Sequence, residues 1–137
     1  MPSRRVSPAD AQALIQKEGY SYVDVRSVQE FQAGHPTGAY NVPLMEMGPA
    51  GMAPNPDFLK VMEKTFPKDS QLVVGCKMGG RSMKAASLLE AAGFTNVVDQ
   101  RAGFDGGAEP GWRPAGLPTS TEAAPDHTYA GIVQKTK

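Results

Sequence analysis

Residues 72–75, L-V-V-G, form a short run that is apolar at every position. A strand with one face in water alternates apolar and polar residues, whereas a uniform run is typical of a strand buried on both faces of a parallel sheet. Both faces of such a sheet must be covered, so its strands have to alternate with helices along the chain. The run therefore predicts an α/β fold in three layers, with a central, mostly parallel sheet and helices on both faces.

Helix and strand signals alternate along the chain, as this fold requires. Ser7 with Asp10, and Ser27 with Glu30, have the spacing of a helix-capping box. Capping residues, apolar stripes and terminal glycines predict helices over residues 8–18, 28–33, 57–66 and 82–92. Runs rich in β-branched and aromatic residues predict strands over residues 20–25, 72–75 and 96–99, and a short extended piece over residues 39–42.

Three segments show little periodicity. Residues 43–56 are rich in Pro, Gly and Met and are predicted to form a surface loop. Residues 103–118 are irregular, and Trp112 is their expected anchor. Residues 119–137 form either a mobile extension or an arm that lies on the domain. The chain is therefore interpreted as one domain over residues 6–118 with a C-terminal extension over residues 119–137.

The charge balance and the cysteine count exclude several classes of function. The 137 residues include 14 Lys plus Arg and 14 Asp plus Glu, so no excess positive charge predicts binding to nucleic acid or to an anionic membrane. No apolar run approaches the roughly 20 residues that span a bilayer, and the expected location is the cytoplasm. The single cysteine excludes an internal disulfide and a thiol-only metal site. No metal or cofactor is predicted.

The single cysteine, Cys76, lies in the segment V-V-G-C-K-M-G-G-R-S, residues 73–82. It follows the buried strand, and in an open α/β sheet ligands bind at the carboxyl ends of the strands. Gly79 and Gly80 permit a loop whose backbone N–H groups point inward, and the next helix, expected about six residues after the cysteine, adds its positive end. With Lys77 and Arg81 nearby, this loop is expected to stabilise a thiolate and to bind an anion. A buried cysteine followed by an ordinary strand-to-helix turn remains the alternative.

Four motifs in this order resemble the rhodanese family of sulfurtransferases. They are V-D-V-R (23–26), E-F-Q-A-G-H (30–35), G-A-Y-N-V-P (38–43) and C-K-M-G-G-R-S (76–82), and the resemblance covers roughly residues 6–118. The segment over residues 51–59 looks like the small single-domain plant-type and bacterial thiosulfate sulfurtransferases. Pro36 departs from the aliphatic residue of many members, but it affects only a turn.

The resemblance implies that a small anionic donor such as thiosulfate gives a sulfur atom to Cys76. The resulting persulfide would pass this sulfur to a thiol, to cyanide or to a protein acceptor. The expected substrate-binding residues are those of the loop: Lys77, Met78, Gly79, Gly80, Arg81 and Ser82. Arg81 would bind the donor oxygens bidentately, and Lys77 would add charge near the opening. Asp24 and Arg26 would support the loop, and His35 is expected to make a structural hydrogen bond.

Two other functions remain open. Related folds use a cysteine–arginine loop in phosphatases and arsenate reductases, but cysteine phosphatases place five residues between the two, and this chain has four. Many rhodanese-like domains have lost the cysteine and serve as binding modules. The presence of Cys76 with its whole loop favours the enzyme.

Overall fold

The structure is a computed structural model of the chain, and it describes residues 4–49, 51–107 and 109–136. The strands within these ranges are β1 (Arg4–Val6), β2 (Ser21–Asp24), β3 (His35–Pro36), β4 (Tyr40–Asn41), β5 (Met45–Gly48), β6 (Gly51–Pro54), β7 (Gln71–Gly75), β8 (Asn96–Gln100) and β9 (Thr119–Ser120). The helices are α1 (Pro8–Glu18), α2 (Val28–Ala33), α3 (Phe58–Thr65), α4 (Gly80–Ala91) and α5 (Tyr129–Lys135), with a short 3-10 helix over Pro125–His127.

The central sheet has five strands in the order β1-β8-β7-β2-β4, and every neighbouring pair is parallel. Two short antiparallel pairs, β3 with β9 and β5 with β6, lie outside it. The predicted α/β class and the mostly parallel sheet are confirmed. β7 lies at the centre of the sheet between β8 and β2, so its carboxyl end has neighbours on both sides.

The sheet separates two hydrophobic cores, because successive side chains of a strand point to opposite faces. Leu72 and Val74 of β7 belong to one core together with apolar residues of α3, α4 and α5. Val73 points to the other core, which α1 and α2 cover with Ala11 and Phe31. The run over residues 72–75 is buried throughout, as predicted. Helices therefore cover both faces of the sheet.

The first two helices begin as their capping residues predict. The Ser7 hydroxyl accepts a hydrogen bond from the Asp10 N–H at 3.1 Å, and α1 ends at Gly19, whose φ is +75°. At α2 the capping box is complete, since Ser27 accepts from the Glu30 N–H and Glu30 accepts from the Ser27 N–H. These local hydrogen bonds fix where each helix starts, which is why the sequence locates them well.

Two predictions for other segments are wrong, and one strand was missed. Residues 43–56 include the β5–β6 hairpin rather than only a loop. Helix α4 begins at Gly80, two residues before the predicted start and four residues after Cys76. Strand β1 was not predicted, because a three-residue edge strand is too short to show a periodic pattern. Its register places Arg5 opposite Asp99 of β8.

The last described segment, residues 119–136, packs on the domain. β9 pairs with β3, and His35 Nε2 lies 2.8 Å from the carbonyl oxygen of Glu122. Helix α5 buries Ile132 in the same core as α3 and α4. The Tyr129 hydroxyl accepts a hydrogen bond from the Asn55 side chain at 3.0 Å. This segment is therefore an arm that lies on the domain. Within the described ranges, no helix has the length and apolar character needed to cross a membrane.

We expect Ile132→Ala to lower the free energy of unfolding by about 2–4 kcal/mol, because Ile132 is only 2% exposed and its truncation leaves a cavity between α5 and the core. Urea unfolding followed by circular dichroism measures this loss. Lys135→Ala, an exposed position on the same helix, is the control and should be close to neutral. Equal, small effects of the two substitutions would contradict the packing of α5 on the core.

Candidate active site

Cys76 directly follows β7, the central strand, and its side chain is almost completely buried. Its sulfur accepts a hydrogen bond from the backbone N–H of Gly79 at 3.0 Å. Helix α4 begins at the next residue, so the partial positive charge at its first turn is close to the sulfur. We call residues 76–81 the thiol loop. The sequence predicted several inward N–H groups, and among the described residues the Gly79 N–H is the one that contacts the sulfur.

Gly79 makes this tight turn possible. Its φ of +106° is in a region that side chains disfavour, and a Cβ at this position would lie 2.2 Å from the carbonyl oxygen of Arg101. The loop is thus pressed against the segment that follows β8. Gly80 has no such constraint, because a Cβ there would meet nothing within 4 Å.

The segment that follows β8 also donates hydrogen bonds to two carbonyl groups of the thiol loop. The Cys76 carbonyl accepts from the Phe104 N–H at 2.7 Å, and the Lys77 carbonyl accepts from the Asp105 N–H at 3.0 Å. Both carbonyl oxygens are therefore occupied by donors from outside the loop. These two hydrogen bonds hold the loop backbone against the segment that follows β8.

Ser82 connects the thiol to a buried carboxylate. Its hydroxyl donates to Asp99 Oδ1 at 2.5 Å and lies 3.6 Å from the Cys76 sulfur. The other carboxylate oxygen of Asp99 accepts from Arg5 Nε at 2.7 Å, and Arg5 also reaches the Gly79 carbonyl at 3.3 Å. Ser82 and Asp99 are both completely buried. Ser82, predicted to bind substrate, thus lies beneath the loop in this structure.

Asp24 and Arg26 form a buried ion pair at the end of β2. Arg26 Nη2 donates to Asp24 Oδ2 at 2.7 Å, and the Arg26 guanidinium lies 4.4 Å from the centre of the Phe104 ring. Burial raises the pKa of Asp24, and the hydrogen bonds and charge of Arg26 oppose that shift. Phe104 in turn holds the Cys76 carbonyl. The pair therefore contacts the loop through one intermediate residue, in the manner of the predicted support.

The cations beside the loop have different partners. Arg81 donates from both terminal nitrogens to the two oxygens of Glu30, at 2.7 and 3.0 Å. Burial raises the pKa of Glu30, but the hydrogen bonds from Arg81 and Ser27 outweigh it and lower that pKa to about 2. The hydrogen bonds and charge of Glu30 raise the pKa of Arg81, against the effect of burial. Lys77 is exposed and forms no ion pair with any residue that the structure describes. Arg81 was predicted to bind the oxygens of the sulfur donor bidentately. In this structure, its bidentate partner is the Glu30 carboxylate.

A groove of about 640 Å³ opens beside the thiol loop. We call it the Lys77 groove, and its lining includes Gln29, Glu30, Met45, Met52, Lys77 and Arg81. A second depression also borders the loop, and the exposed side chains of Met78 and Met83 line it. No described residues form a group of three or more His, Cys, Asp or Glu side chains that could hold a metal ion.

A family model described as a rhodanese-like domain matches residues 7–109. This chain belongs to the rhodanese-like family. Thiosulfate sulfurtransferase 16, a chloroplastic protein of Arabidopsis thaliana, is 46% identical over 101 residues, which are 74% of this chain and 80% of the relative. Thiosulfate sulfurtransferase GlpE of Haemophilus influenzae is 31% identical over 121 residues, 88% of this chain and 98% of the relative.

Other comparisons agree with the rhodanese-like fold. The crystal structure of Rv0390 from M. tuberculosis superimposes with a TM-score of 0.75 at 25% identity, covering 89% of this chain and all of that one. The chain spans about half of the length of two further plant relatives that are 41% identical to it. The family assignment that the four motifs implied is confirmed.

Sequence reasoning missed three residues that shape this rhodanese-like site. Asp99 and Arg5 support the loop from β8 and β1, and Glu30, interpreted only as a helix cap, also binds Arg81. Asp99 could have been found from the sequence, because it is a carboxylate at the carboxyl end of the strand predicted over residues 96–99. Arg5 could not have been found from the sequence, because the three-residue strand that contains it shows no recognisable pattern.

We expect Gly79→Ala to lower the free energy of unfolding by about 2 kcal/mol or more, because the left-handed backbone and the contact with Arg101 both oppose a Cβ. Gly80→Ala is the matched control. It should leave stability unchanged or slightly higher, since alanine favours the helix. Urea unfolding of both variants tests this, and a similar stability of the two would show that Arg101 does not confine the loop.

The Glu30–Arg81 pair should make stability depend on pH. The pKa of Glu30 is depressed in the folded protein, so its contribution is fully present above about pH 4.5 and is lost as the pH falls toward about 2. Glu30→Gln keeps a capping acceptor but removes the charge. We expect it to cost about 1–2 kcal/mol of unfolding free energy at pH 7, after discounting for partial exposure, and less than half of that near pH 3. Urea unfolding across this range measures the difference, and a constant difference would contradict the ion-pair origin.

Proposed function

We propose that this protein is a thiosulfate-type sulfurtransferase that carries sulfur as a persulfide on Cys76. The observation that carries the proposal is the sulfur of Cys76 held at 3.0 Å from the Gly79 N–H, immediately before helix α4. Membership of the rhodanese-like family supports it, as do the relatives that bear the name thiosulfate sulfurtransferase. The reaction needs no cofactor, because thiosulfate already contains a sulfur atom that a thiolate can attack.

The reaction proceeds in two displacements. In the first, the Cys76 thiolate attacks the outer sulfur of the donor, the donor S–S bond breaks, and sulfite leaves with the electron pair. In the second, a thiophilic acceptor attacks the outer sulfur of the persulfide, and Cys76 leaves as a thiolate. The acceptor is cyanide in an assay, or a thiol or protein acceptor. Atoms and electrons balance without an oxidant or a reductant.

Positive partial charge lies close to the sulfur of Cys76. The Gly79 N–H and the first turn of α4 offer positive partial charge, and the Cys76 and Lys77 carbonyls are held by Phe104 and Asp105. Lys77 adds a full positive charge at the opening. The donor anion and the departing sulfite would both be attracted by this charge.

The loop geometry weighs against phosphatase or arsenate reductase chemistry. Four residues separate Cys76 from Arg81, and Gly79 is too closely packed against Arg101 for the loop to widen freely. The contact of the Cys76 thiol with the Gly79 N–H, next to the start of α4, favours an enzyme over a domain that only binds a partner.

We expect incubation with thiosulfate to add the mass of one sulfur atom to the wild-type protein and none to Cys76→Ser. The serine hydroxyl is neither soft nor appreciably ionised at neutral pH, so it cannot replace the thiolate. Intact-mass spectrometry measures the addition, and cyanide should then remove it and yield thiocyanate. Circular dichroism shows whether the variant is folded. Unchanged wild-type mass, or full sulfur transfer by folded Cys76→Ser, would reject the proposed function.

A further inference from the structure

Glu30 is fixed beside the thiol loop by more than its ion pair with Arg81. Its carboxylate also accepts from the Ser27 N–H and from the Ser27 hydroxyl, both at 3.0 Å. The Glu30 side chain is 27% exposed and that of Arg81 is 20% exposed. A bidentate pair anchored to a helix cap holds its geometry better than an exposed, flexible pair. The negative charge of Glu30 is therefore a permanent part of the Lys77 groove.

This charge changes what the groove can attract. Glu30, Lys77 and Arg81 are the charged members of its lining. Arg81 is compensated by Glu30, so the lining has a net charge of about one positive unit rather than two. An anion that enters meets one uncompensated cation, that of Lys77, and a nearby carboxylate that repels it.

The uncharged part of the lining is mostly apolar. Met45 and Met52 come from the β5–β6 hairpin and face this groove. Met52 is 39% exposed, and methionine adapts its shape to apolar groups of varied outline. A donor that is only a small inorganic anion would leave this surface in water. A donor with an apolar body would cover it.

We propose that the Lys77 groove selects singly charged sulfur donors with an apolar body, and that Glu30 is the residue that disfavours doubly charged donors. The proposal rests on the proposed function, because it concerns the donor of the Cys76 persulfide. Glu30 acts through the charge of the groove and through Arg81, and it takes no part in bond making.

The test compares two donors in wild type and Glu30→Gln. Thiosulfate is a dianion, and benzenethiosulfonate is a monoanion with an aromatic ring. Removing one negative charge changes the interaction with a dianion twice as much as with a monoanion. We therefore expect the variant to lower KM by about threefold for benzenethiosulfonate and by about tenfold for thiosulfate at low salt, with little change in kcat. Added salt should reduce both effects.

Glu63→Gln is the matched control, since it neutralises a carboxylate of α3 that pairs with Lys68 and lies outside the groove. It should leave both KM values unchanged. Equal KM changes for the two donors in Glu30→Gln, or higher KM values for both, would overturn the charge selection. Loss of the persulfide mass in the wild type would instead reject the proposed function, so the two failures are distinguishable.

A second variant tests the apolar half of the proposal. Met52→Gln keeps the size of an exposed side chain and makes it polar, so folding should not change. We expect KM for benzenethiosulfonate to rise roughly threefold as apolar contact is lost, while KM for thiosulfate stays constant. Thermal unfolding confirms that the variant is folded. An unchanged KM for benzenethiosulfonate would show that the hairpin does not contact the donor.

Discussion

Asp99 is a buried carboxylate that joins three parts of the structure beside the thiol. It accepts from Arg5 of β1 and from Ser82 of α4, while it belongs to β8 itself. A buried charge is tolerated only when it is paired and hydrogen-bonded, so these elements must come together for Asp99 to be satisfied. Gly79 depends on the same residues, because Arg5 and Ser82 both contact its carbonyl. The position of the N–H that faces the sulfur therefore follows from the satisfaction of one carboxylate.

The charged groups around Cys76 differ in how far they are exposed to solvent. Asp24 and Arg26 form a buried pair behind the loop, and the buried carboxylate of Asp99 pairs there with the partly exposed Arg5. The half-buried pair of Glu30 and Arg81 borders the opening, and Lys77 remains exposed. The two carboxylates behind the loop, Asp24 and Asp99, are thus buried, whereas the carboxylate of Glu30 at the opening is partly exposed.

The parts of the fold that sequence predicts are those fixed by local interactions. Ser7 and Ser27 cap the helices that follow them, so both helix starts were recognisable. The four apolar residues that end at Gly75 likewise indicate a buried strand without reference to any other segment. The parts that were missed depend on distant partners. Strand β1 forms because it pairs with β8. Helix α5 is stabilised because Ile132 packs into the core that α3 and α4 also line. In the site, the position of Cys76 could be inferred from its strand. The pairing of Arg81 with Glu30 could not, since it joins residues 51 positions apart.

The pairing of β1 with β8 also sets an order of events during protein synthesis. β1 is made long before its neighbour in the sheet, β8, because Arg5 and Asp99 are 94 positions apart. Contacts between distant segments form late, after the intervening chain has been made. Until Phe104 and Asp105 emerge, the carbonyls of Cys76 and Lys77 also lack their donors. In a nascent chain, the organised thiol loop therefore forms only after β8 and the segment that follows it have been made, and not when Cys76 itself emerges.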